Sequence, residues 1–123
     1  MRPGDTFLAR TAKPHLAIVV SDCQHDKVLF VRLTTDEAGK DSTCRLAVGD
    51  HPWITHPSVV HYGGAMCVER AVLDAQIGVN LDASSPVAAA ILTKVIKGFA
   101  LSVYAKPVDQ DFASGTCHCE QPT

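Results

Sequence analysis

The chain has no surplus of charge of either sign. Eleven Lys and Arg stand against thirteen Asp and Glu, a formal net charge of -2 with histidines neutral. A uniformly basic surface is therefore excluded, and a polyanion is held only if basic groups are focused in one groove. Aromatic residues are scarce, 6% with Trp53 the single tryptophan. No apolar run approaches the roughly 20 residues that span a bilayer; Leu16 to Val20 has five. No apolar stretch follows Met1-Arg2-Pro3-Gly4-Asp5, so no secretory signal is expected. The phosphate-binding patterns Gly-x-x-x-x-Gly-Lys and Gly-x-Gly-x-x-Gly are missing. With 123 residues there is room for one core, which excludes a multi-domain enzyme or a large cofactor fold. The five cysteines are odd in number and irregularly spaced, which is read as reduced thiols in a cytoplasmic protein.

What is present is a composition of 46% hydrophobic and 20% charged residues, that of a folded domain. Short β-branched and aromatic segments at Thr6 to Arg10, His15 to Ser21 and Val28 to Leu33 predict strands. The polar stretch Ser21 to Asp26 joins the last two as an antiparallel hairpin. A polar loop, Asp36 to Asp41, precedes a strand expected from Ser42 to Val48. Ser58 to Tyr62 is read as a strand ending in a hairpin at Gly63-Gly64, with the next apolar segment running from Ala65 to Leu73. Five or six short strands suggest a small barrel or strongly coiled sheet. Ser84-Ser85-Pro86 then has the form of a helix start. Val87, Ile91, Val95 and Phe99 make one apolar row, and Ala88, Leu92 and Ile96 the next. The expected organisation is one mainly β domain over 1–108, closed by a helix at about 85–103, with 109–123 as a flexible tail.

Gly4-Asp5-Thr6-Phe7-Leu8, Ala17-Ile18-Val19-Val20-Ser21 and Val31-Arg32-Leu33-Thr34-Thr35 resemble the MazF/PemK-type toxin family. Weaker matches at Ser58-Val59-Val60 and in the helix from Pro86 extend the resemblance over most of residues 4 to 103. Asp41-Ser42-Thr43-Cys44 and Gly49-Asp50-His51-Pro52-Trp53-Ile54 are similar to uncharacterised bacterial relatives of those toxins. The resemblance implies an SH3-like antiparallel barrel with a C-terminal helix. It also implies a homodimer that cleaves single-stranded RNA without a metal or other cofactor, restrained by a cognate antitoxin. Where the family's nucleases carry an arginine just before a proline, Pro14-His15-Leu16 places a histidine.

Metal-free RNA cleavage needs a base for the ribose 2′-hydroxyl, an acid for the leaving oxygen and donors for the phosphoryl charge. The candidates are His15, Thr34, Thr35, Asp41, Ser42 and His51, with Arg10 and Arg32 supplying positive charge. Trp53 either stacks an unpaired base or plugs one end of the barrel. A different class of reading is a non-catalytic barrel that binds protein or nucleic acid. A third is a hydrolase with Cys44 as nucleophile and His51 as base, or with zinc on Cys44, His51, His56 and His61. Those spacings match no standard zinc pattern, and the tail's Cys117-His118-Cys119 is a weak metal motif.

Overall fold

The computed structural model describes residues 1–22 and 26–114. Strands β1 (Thr6–Ala9), β2 (Leu16–Asp22) and β3 (Lys27–Thr35) form the expected antiparallel meander. The β2–β3 connection turns through Asp26 at φ 56, a left-handed conformation that aspartate tolerates. Three further strands follow: β4 (Arg45–Leu46), β5 (Ser58–Glu69) and β6 (Leu81–Ser84). They complete a six-stranded antiparallel sheet of order β4-β5-β3-β2-β1-β6, curled into a half-barrel and accompanied by three helices.

β2 and β3 read as unbroken apolar runs because both of their faces are covered. On one face Leu16, Ile18, Val20, Leu29, Val31 and Leu33 pack with Val95 and Phe99 of α2 (Ala89–Leu101) and Phe112 of α3 (Pro107–Ala113). On the other, Phe7, Ala17, Val19, Val28 and Phe30 pack with Leu73 of α1 (Arg70–Gln76). The Phe7 and Phe30 rings meet edge-on at 5.0 Å. Burying each such side chain contributes roughly 1.5 to 3 kcal/mol before entropy is counted. Beyond Phe30 the second face has no helix over it: Arg32 is exposed and Thr34 half-buried.

Several expectations are corrected. Gly63-Gly64 is no hairpin: β5 runs straight through it, and neither glycine has positive φ. The pair forms a wide bulge, with Arg32↔His61 and Phe30↔Met66 in register, so that Val31 alone faces Tyr62 to Ala65. The strand expected over Ser42 to Val48 shortens to Arg45–Leu46. Ala65 to Leu73 changes from strand to helix at Arg70, whose guanidinium is held by Asp22 at 3.0 Å and Asp26 at 2.7 Å. The helix expected from Ser84-Ser85-Pro86 begins later, at Ala89 with Ala88 as its N-cap: Ser84 pairs with Thr6 as the end of β6, the Ser85 carbonyl accepts from Thr6 Oγ1 at 2.7 Å, and Val87 N–H donates to Gly4 C=O. Pro107 opens α3 at its first turn, where a missing N–H costs nothing. That helix docks through Phe112, fully buried, and through Ser21 Oγ donating to the Phe112 carbonyl at 3.0 Å, so the stretch from Asp109 to Ala113 is part of the fold rather than a tail. Cys117-His118-Cys119 lies outside the described residues.

The cysteines also depart from a uniformly reduced set. Cys44 is free, whereas Cys67 is disulfide-bonded. Among the described residues no helix is long and apolar enough to cross a membrane.

Candidate functional site

The uncovered half of the second sheet face collects polar residues from β3, from β5 and from the residue just before β2. Arg32 on β3 stands opposite His61 on β5 and Ala17 on β2, so all three project to one side. His15, two residues before Ala17, continues that side by the period of two. Thr34 does the same two residues beyond Arg32. A pocket of about 520 Å³ opens there, with His15, Arg32, Thr34 and His61 among its lining. Its rim is made by Lys40 and Asp41 from the loop before β4 and by Tyr104 from the α2–α3 connection.

Hydrogen bonds fix the protonation geometry. His15 Nδ1 lies 3.0 Å from the Leu33 carbonyl, which only accepts, so Nδ1 carries a proton and the neutral ring keeps its lone pair on Nε2. Lys40 Nζ donates to Thr34 Oγ1 at 2.8 Å, leaving the threonine hydroxyl proton to point at another acceptor. Arg32 has no ion pair or side-chain hydrogen bond among the described residues, so its donors face the pocket unused. His61 is held differently: a Cβ on Gly64 would lie 2.4 Å from the imidazole Cδ2, so the bulge leaves room for the ring by omitting a side chain. Arg32, Lys40 and two imidazoles thus share a pocket with one carboxylate, Asp41; Lys40 is also paired with Glu37 at 3.7 Å, so Arg32 is the permanent cation of the pocket without an ion pair among the described residues.

That carboxylate is an anchor. Asp41 Oδ1 accepts from Thr43 N at 3.0 Å and Thr43 Oγ1 at 2.5 Å, and Oδ2 accepts from Ser102 Oγ at 2.5 Å. Burial alone would raise its pKa, but the hydrogen bonds from Ser102 and Thr43 and the field of His61 outweigh burial and hold it below the ordinary carboxylate value. Asp41 is therefore ionised and fully used, and it ties the rim loop to the end of α2.

The remaining sequence candidates lie elsewhere. His51 is 3% exposed; its Nδ1 accepts from Trp53 N at 3.0 Å and its Nε2 donates to the Ser85 carbonyl at 2.6 Å, with Thr6 Oγ1 3.4 Å away. Both ring nitrogens are occupied in a structural bridge. Thr35 Oγ1 is 3.0 Å from His56 Nε2 and does not line the pocket, and Ser42 is an exposed loop residue. Arg10 is bound at the β1–β6 edge, with Nε and Nη2 on Asp82 at 3.0 and 2.7 Å and Nη1 on the Val79 carbonyl at 2.8 Å. Trp53 is 52% exposed and also off the pocket; its neighbour Ile54 is the residue buried in the core. Cys44 is 2% exposed and burial pushes its thiol pKa up, while His51 has no nitrogen left to serve it as a base. Among the described residues no cluster of His, Cys, Asp or Glu is placed to hold a metal ion.

The structure thus brings together His15, Arg32, Thr34 and Asp41 and adds Lys40, His61 and Tyr104, which sequence reasoning had not placed in this site. Comparison of the chain with protein-family models, curated proteins and solved structures finds no match.

Proposed function

We propose that the chain is a metal-independent endoribonuclease of the toxin type on a small SH3-like barrel, with the phosphodiester seated over Arg32. One observation carries the reading: Arg32 and His61, from adjacent strands, and His15, just before β2, line one open pocket, and the guanidinium has no ion pair or side-chain hydrogen bond among the described residues. In the proposed reaction His15 Nε2 removes the ribose 2′-proton and the 2′-oxygen attacks phosphorus. His61, protonated, gives its proton to the departing 5′-oxygen, leaving a 2′,3′-cyclic phosphate and a free 5′-hydroxyl. Arg32, Lys40 and the Thr34 hydroxyl hold the two non-bridging oxygens as charge develops on them. Each proton-transfer group is expected to supply about 10² to 10⁴-fold.

The test is incubation of purified protein with unstructured RNA in EDTA. Cleavage ending in cyclic phosphate, lost by at least about 10²-fold in His15→Ala and in His61→Ala, supports the proposal. RNA that stays intact but binds in an Arg32-dependent manner assigns the pocket to binding alone, the non-catalytic reading.

A further inference from the structure

The pocket sets polar side chains among the apolar Leu33, Val59 and Val60, and it has a single aromatic residue in its lining, Tyr104. Tyr104 leaves 58% of its surface exposed there, and the only aromatic ring pairs among the described residues are Phe7–Phe30 and Tyr62–Phe99, so its ring has no aromatic neighbour. An exposed aromatic side chain in a short connection is ordinarily free to swing. The Tyr104 main chain is restrained twice. Its backbone N–H donates to Ser102 Oγ at 3.1 Å, and that same hydroxyl donates to Asp41, the anchor of the rim loop bearing Lys40. Its main chain and Cβ also rest against the bulge: a Cβ built on Gly63 would lie 3.4 Å from the Tyr104 carbonyl oxygen and 3.5 Å from its Cβ. The glycine therefore lets the connection approach the strand carrying His61, and the aromatic ring is stationed at the edge of the cationic floor.

We propose that Tyr104 is a stacking platform for an unpaired nucleobase whose phosphate lies on Arg32 and Lys40, which makes the ligand single-stranded. An exposed aromatic ring in the same pocket as cationic donors is the combination that single-stranded nucleic acid demands. Cations track the backbone, and rings accept bases without reading their edges. A base inside a duplex has both faces stacked and has none to offer. This inference rests on the anion-binding part of the proposed function and is independent of catalysis.

Binding is measured by fluorescence anisotropy with two fluorescein-labelled probes that cannot be cleaved, a short 2′-O-methyl oligouridine and the same backbone carrying abasic residues. The oligouridine should bind about tenfold or more tightly than the abasic probe. Tyr104→Ala should remove that difference, Tyr104→Phe should keep it, and Arg32→Ala should weaken both probes alike. Equal affinity of the parent protein for the two probes, with Arg32 still required, overturns the stacking platform and leaves the phosphate site standing. Failure of both probes to bind overturns the two together.

Discussion

The Tyr62 hydroxyl occupies the space in which a side chain on Gly98 would begin. A Cβ there would lie 1.8 Å from the Tyr62 oxygen and 2.4 Å from Cζ. The phenol passes over the bare helix backbone to donate to the Val95 carbonyl at 2.6 Å, and its ring meets Phe99 edge-on at 4.8 Å. Gly98→Ala, worth up to about 1 kcal/mol in favour of an isolated helix, is therefore expected to destabilise the protein by roughly 1 to 3 kcal/mol through overpacking. Urea denaturation checks this, and Tyr62→Phe in the Gly98→Ala background should recover part of the loss. Burial also pushes the Tyr62 hydroxyl pKa up, so alkaline spectrophotometric titration should show Tyr62 ionising only as the fold opens.

Asp109 carries the opposite kind of tension. The residue is 5% exposed, and its Oδ2 is a buried oxygen with no hydrogen-bond partner among the described residues. Burial raises its pKa, against a smaller opposing effect of Lys106. A carboxyl whose folded pKa lies above the unfolded one binds its proton more tightly in the native state. Its contribution to stability is then full below the ordinary carboxylate value and is lost as pH rises through the folded value. Asp109→Asn should flatten this part of the fall in stability between acid and neutral pH, measured by urea midpoints across that range. An unchanged pH slope would refute the assignment.

His51 separates structure from chemistry. His51→Ala removes the bond to the Ser85 carbonyl and strands the Trp53 N–H, an expected cost of about 1 to 3 kcal/mol. Thermal denaturation should show the loss, whereas RNA cleavage per folded molecule should match the parent protein. A folded variant without activity would move His51 into the reaction.

Gly64→Ala tests the position of His61 without deleting it. The added methyl group displaces the imidazole by about an ångström or more, because its Cβ would lie 2.4 Å from Cδ2 and 2.7 Å from Nε2. Misplacement on this scale costs about 10²-fold in rate. The expected result is impaired cleavage with a near-parent melting temperature; parent-like cleavage would place His61 outside the chemistry.

The strands were legible where the chain is densest in β-branched residues, β1 to β3, and α2 was legible from its apolar rows. His15 followed from the family resemblance, Thr34 from its place at a strand end, Arg32 from its charge and Asp41 from a polar stretch, and the structure lines one pocket with all four. His61 required a register. It sits two residues after Val59, which faces Thr34, but only the β3–β5 pairing puts it opposite Arg32, and the Gly63-Gly64 bulge conceals that pairing by resembling a turn. α1 and α3, seven residues each, are too short for a 3.6-residue period to declare itself, and both are fastened by distant partners, Asp22 and Asp26 for one, Ser21 for the other. His51 drew notice through its polar neighbours, and the carbonyl that occupies it lies 34 residues away.

Strands β4 and β6 are the two free rims of the sheet, yet the loop leaving β4 sends His51 to the backbone just past β6. The seam of the half-barrel is thus closed by a side-chain clasp instead of a ladder of backbone bonds. Such a joint can breathe without unpairing the central strands, so amide exchange should begin along β6 and reach β2 and β3 last.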